Sequence, residues 1–204
     1  MDFEKEIYDY LTARGFTVDG ACAVLGNMHA ESACNPNNAQ NSGNARLGMT
    51  DAEYTDGVDK GTYTNFVKDS IGYGLCQWTY WSRKQGLLNL AKTRGKSISD
   101  ISVQLDFMLS ELKSYGLLYK IKNAKDYAEA TKVFMLQYEK PANQSAANVK
   151  VRVGYSDVYY KRFANPLDRA LSVLVANGVI NSPDYWKKAA PTVKFLPELL
   201  QKMA

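Results

Sequence analysis

Residues 18–33 read Val-Asp-Gly-Ala-Cys-Ala-Val-Leu-Gly-Asn-Met-His-Ala-Glu-Ser-Ala. The apolar run predicts a helix over this stretch. At 100° per residue Val24, Met28 and Glu31 share one face, so a carboxylate stands where the pattern asks for a core residue. Glu31 also falls in the helix's last turn. Burial and the negative end of the helix dipole both disfavour its anion. A carboxyl group that keeps its proton near neutral pH is what a general acid requires. The alternative is a structural glutamate, satisfied by backbone or tyrosine.

Outward from this helix the pattern stays helical. Phe3, Ile7, Tyr10 and Leu11 predict a helix that stops at Gly15. The stretch Asn35–Ser70 is rich in Asn, Gly, Thr, Tyr and Asp and reads as irregular. Thr50-Asp51-Ala52-Glu53 looks like a capping box that opens a short helix within it. So long an irregular stretch in a compact domain points to function. Ser82 and Gln85 form a second capping-box pair, before Leu87, Leu88 and Ala91, with Gly95 as the stop. Further stripes are Ile101, Leu105, Met108, Leu109 and Leu112, then Tyr127, Ala130, Phe134 and Tyr138 ended by Pro141, then Tyr155, Tyr159 and Phe163. After Asn165-Pro166 a small unit follows, with Leu171 and Leu174 on one helix and Leu196, Leu199, Leu200 and Met203 on another. Asn177-Gly178 and Ser182-Pro183 mark a turn and a new helix start. The expectation is a mainly α, lysozyme-like α+β domain over residues 1–165, with a minor hairpin or extended segment near Tyr73, and a helical unit over 166–204.

Composition narrows the chemistry. The 204 residues are 46% hydrophobic and 23% charged, with a net charge of +4, which is globular and too mildly basic to argue for nucleic acid. No apolar run has the length of a membrane span, and the first residues do not read as a signal peptide. A single histidine, His29, excludes multi-histidine mechanisms. Three cysteines without CxxC spacing argue against a structural zinc, and an odd count argues against a complete disulfide framework. No metal or organic cofactor is implied. The chemistry left is that of carboxylates, amides and phenols.

The second conspicuous segment is Gly72-Tyr73-Gly74-Leu75-Cys76-Gln77-Trp78-Thr79. Its glycines let backbone approach a ligand, and Gln77 offers a donor and an acceptor. Trp78, Tyr80 and Trp81 offer faces for stacking on sugar rings, or fill core. Glu31-Ser32 with Asn35-Pro36, then Gly-Leu-x-Gln, then a tyrosine on a later helix resembles goose-type lysozymes and lytic transglycosylases. The closer resemblance is to the phage tail-lysozyme family of muramidases. It rests on Gly26 to Ser32, Gly72 to Thr79, Gln104-Leu105-Asp106-Phe107 with Glu111-Leu112, and Tyr138-Glu139-Lys140-Pro141. It covers roughly residues 15–163, and the four pieces in order are fairly specific.

The resemblance implies that Glu31 protonates the leaving-group oxygen of a peptidoglycan glycan strand, at the β-1,4 link after N-acetylmuramic acid. Tyr138 matches a tyrosine that lines such clefts, and Gln77 matches the glutamine on the saccharide. Ser32, Tyr73, Trp78 and Glu139 join the substrate-binding set, with a structural ion pair as the alternative for Glu139. Asp69 lies where goose-type lysozymes carry a second acid; the alternative is a turn or capping aspartate. Their acid two residues after the glutamine is replaced here by Thr79. Without a second acid the substrate's own C6 hydroxyl would attack, as in a lytic transglycosylase; a glucosaminidase would cut the other bond. Two further readings are a thiol peptidase or amidase built on Cys76 and His29, and a glycan-binding module without catalysis. Residues 166–204 resemble a short C-terminal unit of Firmicute wall-acting proteins, which implies wall attachment or docking. The expected setting is the bacterial cell wall, reached as an endolysin or a tail-associated lysin.

Overall fold

The computed structural model describes residues 2–192 and 196–204. The chain divides into two compact units, with the break between Asp157 and Val158.

The first unit opens with α1 (Phe3–Ala13) and α2 (Val18–Ser32). Asp2 caps α1 by accepting from the Lys5 N–H, and Thr17 caps α2 through Gly20. Every residue from Gly20 to Met28 is buried, so α2 is the central post of the domain. Gly26 makes this possible. A Cβ there would strike Ser156 Oγ and lie 2.9 Å from the Arg152 carbonyl, so only glycine admits the neighbouring helix α9 (Ala146–Phe163).

The stretch expected to be irregular contains two helices, α3 (Asn41–Leu47) and α4 (Asp51–Asp59). The capping box at Thr50 and Glu53 is present. The missed α3 has a weak sequence, Asn-Ser-Gly-Asn-Ala-Arg-Leu, and is held by tertiary contacts. Gly43 seats on Ile71, Asn44 Nδ2 donates to Asp51 Oδ1 at 2.6 Å, and Arg46 donates to the Asp69 carbonyl at 2.6 Å. Tyr73 and Trp78 then exchange backbone hydrogen bonds, Tyr73 N–H to Trp78 O at 3.2 Å and Trp78 N–H to Tyr73 O at 3.0 Å, while Ala39 bridges to Tyr73 from the other side. This is the minor hairpin, reduced to isolated bridges.

Helix α5 (Trp81–Arg94) starts one residue before Ser82. Its cap is Tyr80, without a side-chain bond, and Gln85 donates to Asn89 instead, so the expected Ser82–Gln85 box does not form. Gly95 ends it in the left-handed region, as expected. Along α6 (Ile101–Ser114) the core face holds Leu105, Met108 and Leu112, but also Gln104 and Glu111. A short α7 (Leu118–Lys122), absent from the sequence-based expectation, precedes α8 (Tyr127–Val133). From Phe134 to Glu139 the chain widens into a π-helical turn, closed by Lys140 in the left-handed region just before Pro141.

The second unit consists of the end of α9, α10 (Pro166–Ala176), α11 (Pro183–Ala189), a 3-10 turn to Thr192, and α12 (Leu196–Met203). Its core is Leu167, Leu171, Leu174, Ala190 and Leu200, flanked by Ile180, Trp186 and Leu196. Leu199 and Met203, on the same helix as Leu200 as expected, are exposed.

Candidate active site

The end of α2 decides the geometry. Ala33 and Cys34 are both left-handed, and their N–H groups return to the His29 and Met28 carbonyls at 2.9 and 3.3 Å. The chain therefore leaves the helix sharply and exposes its last turn. Ser32 does not face the cleft freely; its hydroxyl donates toward the Met28 and Leu75 carbonyls at 3.1 and 3.2 Å, tying α2 to the Gly72–Trp78 turn. Gln104 fastens that turn from beneath, accepting from the Leu75 N–H at 2.8 Å and donating to the Pro36 and Ile98 carbonyls. Gly74 has φ +73° and lies against the Gln104 amide, where any side chain would collide.

Gln77 is held in the left-handed region at φ +45°, an uncommon conformation for a residue with a side chain. Its amide nitrogen donates to Asn38 Oδ1 at 2.9 Å and to the Asn38 and Gly74 carbonyls at 3.1 Å. The group it can present to a ligand is its carbonyl.

These elements enclose an open cleft of about 520 Å³, within the ordinary range of ~300–1,000 Å³ for ligand sites. It is lined by His29 to Ala33 at the end of α2, by Asn38 and Gln40 to Ser42, and by Gln77. Glu31 is the one carboxylate in that lining, with 18% of its side chain exposed. Three of the expected residues thus meet: Glu31, Ser32 and Gln77.

The others lie elsewhere. Asp69 is enclosed, with 1% of its side chain exposed, and both oxygens are occupied. Oδ1 accepts from Lys84 Nζ at 2.5 Å and from the Ile71 N–H at 2.9 Å; Oδ2 accepts from the Tyr54 and Tyr63 hydroxyls at 2.6 and 3.1 Å. Burial lowers the Lys84 ammonium's pKa against the pull of Asp69. This is a sealed structural ion pair, away from the cleft lining. The other acids of the loop are also engaged structurally. Asp51 accepts from the Ala39 N–H, Glu53 completes the Thr50 box, Asp56 pairs with Lys60, and Asp59 accepts from the Ile98 N–H.

The expected aromatic contacts are interior ones. Tyr73 and Trp78 are fully buried and Tyr138 is 2% exposed. Tyr73 shares a hydrogen bond with Thr55 at 2.6 Å, while Trp78 Nε1 and the Tyr138 hydroxyl both donate to Glu111 Oε2, at 2.8 and 2.7 Å. Arg83 completes the cluster with a two-pronged bond to Glu111. Burial pushes the Tyr138 phenol well up. Tyr80 and Trp81, by contrast, are exposed, with ring centroids 6.0 Å apart.

Cys76 lies in the same interior. Burial and the nearby Glu139 and Glu111 push its thiol well above the ordinary value, which keeps it protonated and a poor nucleophile. His29 packs on Tyr155 with ring centroids 4.1 Å apart and has Glu4 at 3.9 Å. Cys22, Cys34 and Cys76 are all buried.

Sequence reasoning missed Arg152. This side chain of α9 is 4% exposed and joins Glu31 to Glu139. One guanidinium nitrogen donates to Glu31 Oε1; the other donates to Glu139 Oε2 at 2.5 Å and Asn27 Oδ1 at 3.3 Å. Asn27 is itself anchored to the Ala23 and Thr131 carbonyls. Gly26, Asn27, Glu31 and Glu139 thus converge on one arginine that lies outside every motif.

Residues 2–163 match the phage tail lysozyme family. The chain belongs to that family. It is also 30% identical, over 146 residues and 67% of its length, to morphogenesis protein 1 of Bacillus phage B103. The chain spans about a third of that curated relative's length. Within this phage tail lysozyme domain, the family match ends at Phe163, the last residue of α9.

Proposed function

We propose that this phage tail lysozyme domain cleaves the glycan strand of peptidoglycan at the β-1,4 bond after N-acetylmuramic acid, with Glu31 as general acid. The observation that carries this reading is Glu31's place as the one carboxylate lining the cleft, on the last turn of a buried helix. Glu31 gives its proton to the departing oxygen as the C1–O bond breaks, and the sugar left behind becomes oxocarbenium-like. Ser32 and Gln77 shape the cleft around that bond. Attack by water on C1 then yields a reducing muramic acid end.

A second reading is favoured by the same lining. Among the described residues that line the cleft Glu31 is the sole carboxylate, and Asp69 is sealed in its ion pair with Lys84. The C6 hydroxyl of the muramic acid unit would then close on C1, giving a 1,6-anhydro end. Mass spectrometry of digested peptidoglycan separates a reducing muramic acid end, a reducing glucosamine end and an anhydro end. Glu31→Gln is expected to lose at least ~100-fold in the rate of wall clearing while still pelleting with walls, in line with the ~10²–10⁴ contributed by general acids. Clearing at the parent rate would sink the carboxylate mechanism.

A further inference from the structure

Arg152 is a buried cation set between two carboxylates, and only one of the two lines the cleft. Its Nε and Glu139 Oε1 are buried without a hydrogen-bond partner, so the cluster has spare hydrogen-bonding capacity. One cation cannot balance two buried anions at low cost. With one proton the cluster is neutral; without it the cluster carries one negative charge.

We propose that Arg152 is a positioning residue for the reaction, holding Glu31 and Glu139 in one cluster that keeps a single proton between the two carboxylates at rest, and pairing with both once Glu31 has given that proton up. This rests on the reading of Glu31 as general acid. The balance is simple. Glu31 loses its proton to the departing oxygen, the C1–O bond electrons go with that oxygen, and the cluster turns from neutral to singly negative. That charge appears as positive charge develops at C1. The proton lost by the attacking hydroxyl or water then restores Glu31.

The surroundings keep this exchange between the two glutamates. Burial, and Glu31 next to it, push Glu139 well above the ordinary carboxylate range, against the pull of Arg152 and Arg83. Arg83 is held by Glu111, the Tyr138 hydroxyl donates to Glu111, and the Cys76 thiol is kept protonated by burial. Asn27 on α2 contributes a neutral acceptor to Arg152, and Ser156 on α9 is engaged with Thr131 and the Arg152 carbonyl.

The test is the pH profile of wall clearing. In Glu139→Gln the guanidinium has Glu31 as its sole carboxylate partner. The alkaline limb is expected to move down, with at least a ~10-fold loss at neutral pH. In Arg152→Met the cation is gone, and the alkaline limb is expected to move up although the maximal rate falls. Arg152→Lys keeps the charge and should lie between parent and Met. Profiles that keep the parent's limbs and differ only in height would overturn the proposal. Should the variants fail to fold, ¹³C NMR of δ-labelled glutamate in the parent protein decides. Coupled steps at Glu31 and Glu139 are expected, and independent titration overturns it. Full clearing by Glu31→Gln would instead remove the general-acid reading itself.

Discussion

At the residue scale, the difference between Glu31 and Asp69 is one of access. Both carboxylates are expected to be catalytic from sequence, but one borders open solvent space and the other is locked onto a lysine. Asp69→Ala would strand the Lys84 ammonium in the interior. The expected cost is about 3–5 kcal/mol in urea unfolding, as for breaking buried pairs generally. Glu139 adds a pH signature. Its folded pKa is raised, so above the ordinary carboxylate range the unfolded chain binds fewer protons than the folded one. Stability from this group is fully present below pH ~4.3 and is lost as pH rises through the folded value. Urea midpoints across that window should fall with pH in the parent and flatten in Glu139→Gln. The sequence made Glu31 legible because a charged residue broke an apolar face. It could not reveal Arg152, since an arginine among Val151, Lys150 and Val153 on a mixed helix breaks nothing.

At the element scale, two close contacts hold the site. Gly26→Ala would push α9 off α2 at Arg152 and Ser156. Overpacking of this kind costs ~1–3 kcal/mol, and the displaced arginine should lower clearing as well. The π-helical turn matters differently. It brings two consecutive residues inward, so Tyr138 reaches Glu111 while Glu139 reaches Arg152. Tyr138→Phe removes one donor from a buried carboxylate. A loss of ~1–3 kcal/mol is expected, read by thermal or urea unfolding. Helix positions along α1, α2, α4 and α6 were readable from period and caps. The helices α3 and α7 were not, because contacts to Ile71, Asp51 and Asp69 rather than local propensity hold the former, and the latter is only five residues long. The Gly72–Trp78 segment was legible as a special turn. The sequence leaves Trp78 open between sugar platform and core, since nothing in a Trp or Tyr tells core from cleft until its indole or hydroxyl partner, here Glu111 for Trp78 and Thr55 for Tyr73, is seen.

At the scale of the whole molecule, the family match stops at residue 163, while α10, α11 and α12 enclose a separate small core. The proposal for residues 166–204 is wall attachment or docking. A chain lacking them should keep the bond specificity seen by mass spectrometry and lose pelleting with walls; unchanged pelleting would leave the unit a packing role. The expected fold class and family were both legible because four short motifs recur in order over most of the first unit. The three thiols have a practical consequence of their own. Cys22 lies within α2, Cys34 follows it, and Cys76 sits in the hairpin turn, all shielded from solvent. Burial lifts the Cys22 thiol to about 12. A thiol reagent therefore waits for the protein to open, and its rate of reaction reports the opening free energy around the cleft in the native sequence, without an introduced label. Peptide mapping would assign each rate to the turn or the helix, giving three clocks within a few residues of Glu31, Gln77 and Gly26.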